Sequence, residues 1–250
     1  MDGTRLAVEA TGDGPVGVAV HGVGGTMRDW DTLASRLAGR RVVRYDQRGF
    51  GSSSVPSAPY AFSELVDDLA TVCADLGPVD VVGHSMGAMV ALAYALEHPV
   101  RSLVLASATA HQGVRASAFA AGMAYVCEVG FDEALREEWI GALVDQAMAT
   151  AGASPDALDE IRTAFAEPDA GQALAWRAMS GFSVKDRVPS LACPVLVVHG
   201  SDDPLVPIGA GRWIGEHVDG ARFVEFEGAG HSIQDDPRFL DEVTRFLAPP

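Results

Sequence analysis

Residues 83–87 read Gly-His-Ser-Met-Gly, and they stand between an apolar run at 79–82 and a helix-like stretch at 88–96. A G-x-S-x-G pattern between a predicted strand and a predicted helix is typical of a nucleophile elbow, a turn that strains the backbone of its central residue. The flanking glycines let strand and helix approach closely because they carry no Cβ atom. The same five letters also describe an ordinary serine in a tight turn, and the flanking elements favour the elbow. We therefore predict that Ser85 is a nucleophile held at the end of a sheet.

A serine nucleophile requires a general base and a carboxylate that orients the base. In the chain order that an elbow implies, the acid and then the histidine follow the serine. The apolar run 194–198 predicts a buried strand, and the loop after it contains two adjacent carboxylates, Asp202 and Asp203. His231 follows a predicted strand and a Gly-Ala-Gly turn, from which its ring can reach both hydroxyl and carboxylate. The residues themselves leave Asp202 and Asp203 as alternative acids.

Most of the other histidines have structural interpretations. His84 lies inside the elbow with its side chain directed away from Ser85, and His199 ends its strand, where a buried, hydrogen-bonded role is expected. His98 and His217 lie at the end of one predicted helix and in another. His111 opens the middle segment of the chain and could line a pocket.

Four charged residues near these motifs also have simpler interpretations. Asp46 and Arg48 stand beside two glycines, where an internal ion pair that pins the loop is favoured over a substrate contact. Asp235 and Asp236 could compete to orient His231. They precede a proline at a predicted helix start, however, where Asp is a common N-cap.

Five segments together resemble the α/β-hydrolase superfamily: His21–Gly25, Tyr45–Ser53, the elbow, Gly200–Pro207 and Gly230–His231. The resemblance spans most of the chain outside residues 111–186. It implies a mostly parallel sheet flanked by helices, a serine-hydrolase triad and a helical cap over the active site. Among relatives, the stretches 44–49 and 103–109 most resemble enol-lactone hydrolases and esterases.

The resemblance also selects one acid. In the family the acid loop reads G-x-x-D-x-x-x-P, which aligns Gly200, Asp203 and Pro207. Asp203 is thus implied as the triad acid, and Asp202 is the runner-up.

In such enzymes the oxyanion hole consists of two backbone N–H groups, one after the nucleophile and one in the loop after an early strand. Here they correspond to Met86 and Val23. Each donor contributes a rate factor of about a hundred to a thousand. The alternative for residues 21–25, a glycine-rich phosphate loop, lacks a following G-K-[ST] and the G-x-G-x-x-G spacing.

Length and composition agree with one compact enzyme. The chain has 250 residues, 48% of them hydrophobic, and a formal net charge of −16, which makes nucleic acid an unlikely partner. The three cysteines are far apart, and the absence of a Cys/His cluster predicts no metal and no cofactor. With no charged-then-apolar leader and no apolar stretch near 18 residues, we expect a cytoplasmic protein without a membrane span. The expected partner is a small-molecule substrate, and the chain is expected to be a monomer or small homo-oligomer.

Short apolar runs alternate with amphipathic ones along the chain, which predicts an α/β fold with a mostly parallel sheet. Strands are predicted near 4–9, 16–20, 41–45, 79–83, 101–106, 194–198 and 221–226, and helices near 29–38, 62–76, 86–97, 207–217 and 236–247. The rhythm breaks at 111–186, where helical patterning continues without a clear strand. We therefore predict a core domain in two parts, 1–110 and 187–250, with an all-helical cap at 111–186.

Aromatic and methionine side chains of the cap are expected to supply part of an apolar pocket, or else only to join cap helices to the core. The candidate pocket residues are Gly22, Met123, Trp139, Trp176 and Phe182. The cap contains 12 acidic and 5 basic side chains, so polyanionic substrates are disfavoured. Arg115 and Arg177 could bind one substrate carboxylate or pair with cap carboxylates.

These patterns predict a cofactor-independent serine hydrolase acting on an ester or lactone of a small, mainly apolar acid. Ser85 is expected to attack, with His231 as base and Asp203 as its orienting acid. The same residues would also serve C–C cleavage of a β-diketone-like compound or perhydrolysis of an acid. A protein of a different class, a ligand sensor with slow turnover, is the remaining alternative.

Overall fold

The computed structural model describes residues 3–151 and 155–248 and contains a seven-stranded sheet. The strands are β1 (Val8–Thr11), β2 (Val16–Val20), β3 (Arg41–Tyr45), β4 (Asp80–His84), β5 (Ser102–Ala106), β6 (Val195–Gly200) and β7 (Arg222–Phe226). Their order across the sheet is β1-β3-β2-β4-β5-β6-β7. β1 is antiparallel to β3, and the other pairs are parallel. The predicted mostly parallel sheet is confirmed.

Helices follow or separate the strands. They are α1 (Asp31–Arg36), α2 (Phe62–Cys73), α3 (Met86–Ala95), α4 (Val114–Val129), α5 (Phe131–Ala134), α6 (Glu138–Ala151), α7 (Pro155–Ala164), α8 (Ala170–Met179), α9 (Ile208–His217) and α10 (Pro237–Phe246). Short 3-10 turns cover Met27–Trp30, Lys185–Ser190 and Ile233–Asp235. None of the helices in the described part of the chain is long and apolar enough to cross a bilayer.

The sheet is buried on both faces, which explains its continuous apolar strands. In β5, Leu103 and Leu105 face the apolar layer that includes α2, α3 and α9, whereas Val104 and Ala106 face the layer formed with α1 and α10. This alternation follows from the two-residue period of a strand. Helix α3 is buried along nearly its whole length, so its sequence is apolar on every side. The helix that follows the elbow is therefore embedded in the core.

Most predicted elements differ from the structure by a few residues at their ends, as where the helix predicted at 62–76 ends at Cys73. The first strand, predicted at 4–9, is Val8–Thr11, because its pairing with β3 begins at Val8 opposite Tyr45. Residues before it bond to the loop after β3: the Ser54 N–H donates to the Arg5 carbonyl at 2.9 Å. The helix predicted at 29–38 begins as a 3-10 turn and continues as α1.

The segment between β5 and β6 contains α4 to α8 and packs in two ways. Val126, Phe131 and Ile140 belong to a small apolar cluster of its own, against which Ile161 of α7 also packs. Ala175 and Met179 of α8 instead join the main core. Helix α8 therefore attaches the insertion to the sheet domain, whereas the small cluster holds the other insertion helices together.

The two ends of this insertion are hydrogen-bonded to each other. The Gln112 N–H donates to the Phe182 carbonyl at 2.8 Å, and the Val184 N–H donates to the Ala110 carbonyl at 2.9 Å. The chain therefore leaves and rejoins the core at the same place.

Candidate active site

The turn between β4 and α3 strains one residue, Ser85, whose φ is 53° and ψ is −120°. Among the described residues other than glycine, only Ser85 and Ser107 have a positive φ. A Cβ at Gly83 would lie 2.7 Å from the Ala88 Cα, and one at Gly87 would overlap the carbonyl oxygens of Val20 and His21. Both glycines are therefore required for the strand and helix to pack this closely. The Ser85 side chain is left at the carboxyl end of the sheet.

The structure brings Ser85, His231 and Asp203 into one hydrogen-bonded line. The His231 Nε2 atom lies 2.9 Å from the Ser85 Oγ. Its Nδ1 atom lies 2.8 Å from one Asp203 carboxylate oxygen and 3.0 Å from the other. Because a carboxylate can only accept, Nδ1 carries the proton, and the Ser85 hydroxyl donates to the lone pair on Nε2. This is the tautomer in which imidazole can remove the serine proton.

The Asp203 side chain is fully buried but well provided with donors. The Leu205 and Val206 N–H groups donate to Oδ1 at 2.9 Å each, and the His199 Nε2 lies 3.3 Å from Oδ2. Burial opposes ionisation, but hydrogen bonds from His199 and His231 outweigh it and hold the pKa of Asp203 well below its usual range. The carboxyl group is therefore charged at any working pH.

The competing carboxylates lie elsewhere. Asp202 is exposed and accepts a hydrogen bond from the Ser201 hydroxyl at 2.7 Å. Asp236 caps α10, where its Oδ1 accepts from the Arg238 N–H at 2.8 Å. Asp235 is exposed in the preceding 3-10 turn. Of the four carboxylates considered from the sequence, the structure places Asp203 against His231.

The glycine-rich loop after β2 is held in position by His21. The His21 Nδ1–H donates to the Gly22 carbonyl at 2.7 Å, and its Nε2 accepts from the Gln47 N–H at 3.0 Å. Burial lowers the pKa of His21 to about 4, so the ring stays neutral and can accept this bond. A Cβ at Gly22 would lie 3.2 Å from the Ser85 Cβ. The loop therefore lies against Ser85, with Val23 next in the chain.

Met86 is the first residue of α3, so its N–H has no partner within the helix. The positive end of the helix dipole also lies here, which favours negative charge at Ser85. Val23 is half-buried and packs against the main core. Both predicted oxyanion donors thus lie on segments that flank Ser85. Their role in binding an oxyanion stays a prediction.

Asp46 and Arg48 hold the loop after β3 through different partners from those expected. Asp46 accepts from the Met27 N–H at 2.7 Å and the Ser52 N–H at 2.8 Å. The Arg48 guanidinium pairs with Asp68 of α2 at 2.6 Å and also contacts Glu64. The loop is pinned as predicted, but its ion pairs run to α2.

The predicted pocket residues of the insertion occupy different environments. Phe182 is buried and packs against Phe62 with the two rings tilted and their centroids 4.5 Å apart. Trp176 is half-buried and meets the Phe119 ring edge-on at 5.8 Å. Trp139 is 50% exposed and lies against Tyr125, and Met123 is half-buried on α4. Trp176 is therefore the more buried of the two tryptophans.

The charged candidates in the insertion also differ. Arg177 pairs with Glu128 at 2.6 Å, in agreement with the interpretation that it pairs with a cap carboxylate. Arg115 is exposed near the start of α4, and His111 is exposed where it forms an isolated bridge with Ser183.

Two residues that contact the segments around the site have no role assigned from the sequence, although Ser107 lies in the 103–109 stretch. Gln172 of α8 lies beside the glycine-rich loop, 3.2 Å from where a Cβ at Gly24 would be. The Ser107 hydroxyl donates to the His231 carbonyl at 3.0 Å. Sequence reasoning missed both because each acts through a contact between segments that are distant in the chain.

Two surface cavities, of about 330 and 520 Å³, lie along β1 and share Glu9 and Arg28 in their linings. Neither lining includes a triad residue. Among the side chains that the structure describes, no group of three His, Cys, Asp or Glu residues is placed to hold a metal ion. Independence from metals stays a prediction that activity measurements must test.

Comparison with known proteins identifies relatives over the whole fold. A family model described as the alpha/beta hydrolase fold matches residues 18–237. The pimeloyl-acyl-carrier-protein methyl ester esterase of Chromobacterium violaceum is 30% identical over 236 residues, covering 91% of each chain.

Two solved structures are similar as well. A hydrolase from Pseudomonas aeruginosa is 26% identical with a TM-score of 0.80, over 99% of this chain and 96% of the other. The enol-lactonase of Burkholderia xenovorans is 26% identical with a TM-score of 0.75, over 98% of this chain and 97% of the other.

Proposed function

Because the chain belongs to the α/β-hydrolase family, we propose that it is a serine hydrolase that cleaves a carboxylic ester or lactone of a small, mainly apolar substrate through an acyl-enzyme. The observation that carries this proposal is the continuous hydrogen-bonded line from the Ser85 hydroxyl through His231 to Asp203. Relatives named as a methyl ester esterase and an enol-lactonase support an ester or lactone as the bond cleaved.

In the proposed mechanism the Ser85 oxygen attacks the substrate carbonyl while His231 Nε2 takes the hydroxyl proton. Asp203 stabilises the resulting imidazolium and holds its orientation. The N–H groups of Val23 and Met86 bind the oxyanion, and the N-terminus of α3 favours the same charge. His231 then gives the proton to the leaving alcohol. Water activated by the same ring hydrolyses the acyl-enzyme.

The substrate is proposed to be uncharged or weakly charged. The insertion has an excess of 7 acidic side chains, from 12 acidic and 5 basic residues, which repels polyanions. Arg177 is already paired with Glu128, and the proposal does not require it to bind a substrate carboxylate.

The decisive experiment labels the nucleophile. An active-site-directed phosphonate should react stoichiometrically and at Ser85 alone, as located by peptide mass mapping. Ser85→Ala should reduce kcat about a million-fold on the best ester, because triad members act as a unit. Labelling at another residue, or full activity of the Ala variant, would remove Ser85 from the mechanism.

A substrate panel then separates the remaining alternatives. Short-chain p-nitrophenyl esters and small lactones should be turned over by the wild type but not by Ser85→Ala. If a β-diketone were cleaved, or an acid perhydrolysed, while no ester or lactone was hydrolysed, the same three residues would serve that reaction instead of ester or lactone hydrolysis. Stoichiometric labelling without turnover of any class would favour a ligand sensor.

A further inference from the structure

The catalytic base is held by its main chain as well as by its ring. The His231 carbonyl accepts two hydrogen bonds, one from the His84 Nε2–H at 2.9 Å and one from the Ser107 hydroxyl at 3.0 Å. His84 immediately precedes the nucleophile, and Ser107 immediately follows β5. Residues 146 apart in the chain, Ser85 and His231, are thus joined a second time, through the neighbour of Ser85.

We propose that His84 and Ser107 are positioning residues that fix the His231 loop in the register needed for proton transfer from Ser85. This inference rests on the proposed function and assigns two further residues to it. We call the pair of hydrogen bonds to the His231 carbonyl the carbonyl clamp.

The need for such a clamp follows from the loop that carries the base. His231 comes after Gly228, Ala229 and Gly230, and Gly228 has a φ of 72°. Two glycines in three residues give the backbone many accessible conformations. A displacement of about 1 Å at a catalytic group can cost a hundredfold in rate. A polar anchor on the residue itself limits that displacement.

His84 is suited to be a permanent donor. Its ring is buried, and the ring centroid lies 5.0 Å from that of His231. Its Nδ1 side faces Gly22 of the glycine-rich loop after β2. Burial, reinforced by the nearby His231, lowers the pKa of His84 to about 3. The ring therefore remains neutral when His231 becomes an imidazolium, and it neither repels that charge nor competes for the proton.

The strained backbone of Ser107 independently supports a positioning role. Its φ is 50°, a region that L-residues rarely adopt, and it is fully buried. Such strain persists where the surroundings impose it, and it marks candidate functional positions. A glycine would satisfy the backbone with less strain. A serine here therefore points to a use for the hydroxyl, which is the bond to His231.

The first test separates strain from the hydroxyl by comparing Ser107→Gly with Ser107→Ala. Both variants lack the hydroxyl, but only Gly relieves the backbone. We expect the thermal midpoint of the Gly variant to equal or exceed that of the Ala variant, whereas kcat falls about tenfold to a hundredfold in both with little change in KM. If activity instead followed the thermal midpoint, Ser107 would be a structural residue only.

The second test uses donor chemistry at position 84. His84→Gln places an amide N–H as many bonds from the backbone as the imidazole Nε2–H, whereas His84→Met has similar length and no donor. Gln should retain most of the wild-type kcat, and Met should reduce it without a matching change in KM. Equal reductions in Gln and Met would overturn the assignment of His84 as a donor.

A substrate-independent readout separates this proposal from the proposed function. The proton between His231 Nδ1 and Asp203 should give a low-field NMR resonance in the wild type, and it should weaken or broaden in Ser107→Gly and His84→Met. A resonance unchanged in both variants would overturn the clamp whatever the enzyme hydrolyses. Failure of the wild type to react with phosphonate, with the resonance responding as expected, would contradict the proposed function alone.

Discussion

The carboxyl edge of the sheet and the helical insertion between β5 and β6 are built by different physical means. At the edge, Ser85 and Asp203 are fixed by backbone hydrogen bonds and by glycines that admit no Cβ atom. In the insertion, Trp139 is half exposed and Arg177 makes an ion pair near the surface. Under the proposed mechanism, a displacement of the edge would change reaction geometry, whereas a change in the insertion would alter which surfaces a substrate meets. Substitutions should therefore affect rate in one region and preference in the other.

After the nucleophile itself, the largest effect should come from the buried acid. Asp203→Asn removes the charge and presents the wrong histidine tautomer, so kcat should fall about ten-thousand-fold. Asp202→Asn is the matched control, because the neighbouring carboxylate is exposed and bonded to Ser201, and it should cost little. Steady-state kinetics of the two variants measure the difference. The reverse ranking would transfer the acid role to Asp202.

A pair of glycine substitutions compares the packing of the two regions. Gly87→Ala would place a Cβ against the carbonyl oxygens of Val20 and His21 and should destabilise the fold by about 3 kcal/mol. Gly141→Ala, inside α6 and with open space around it, should stabilise by about 0.5–1 kcal/mol. Urea unfolding monitored by circular dichroism gives both values. Similar free energies for the two variants would show that the elbow is not the tighter region.

The buried histidines of the edge should make stability sensitive to mild acid. Burial lowers the pKa of His21 to about 4 and that of His84 to about 3, from an ordinary value of 6.5. Below about pH 6.5 the unfolded chain binds protons that the folded chain refuses, so the free energy of unfolding falls as pH falls. Between about pH 7 and pH 5 each ring should account for a decrease of about 2 kcal/mol.

Measuring the free energy of unfolding over the same pH range in two variants tests whether His84 contributes to this decrease. His84→Gln should reduce the slope of the unfolding free energy against pH by the contribution of one ring, and His217→Gln, at an exposed histidine, provides the comparison. If the slope of the unfolding free energy against pH were unchanged in His84→Gln, the His84 ring would bind its proton as readily in the folded protein as in the unfolded chain.

The smallest effect is expected in the insertion. Trp176 packs against the main core and follows Gln172, which lies beside the glycine-rich loop, by one helical turn of α8. Trp176→Ala should shift the preference among acyl chain lengths by about 1 kcal/mol for each methylene group that no longer packs against the ring. Trp139→Ala should not shift it. The ratio of kcat/KM values over a series of p-nitrophenyl esters tests both, and equal shifts would place both rings in the pocket.

The sheet could be predicted from the sequence because buried parallel strands are continuous apolar runs, as in β5 and β6. Ser85, Asp203 and His231 could be selected because each follows a strand, and parallel strands end at one edge of the sheet. The start of β1 was misplaced because pairing with β3, and not the local pattern, decides where it begins.

The sequence does not reveal where a side chain points or which distant segment it contacts. His84 was predicted to be structural, since its side chain points away from Ser85, but that direction leads to the His231 carbonyl. Ser107 lies in the 103–109 stretch, but that pattern assigns it no role, and its strained backbone is visible only in three dimensions. The partners of Arg48 likewise lie on α2, whereas a pair within the loop was expected.

The closed ends of the insertion have a consequence for how this enzyme could diversify. Because Gln112 bonds to Phe182 and Val184 bonds to Ala110, the segment between them closes on itself like a hairpin stem. Lengthening or exchanging what lies beyond such a stem costs little chain entropy, since each doubling of loop length costs only about 0.6 kcal/mol. We therefore expect that the insertion can be exchanged as a unit. A transplanted set of helices that restored the stem and the face of α8 could bring a new specificity to an unaltered catalytic edge.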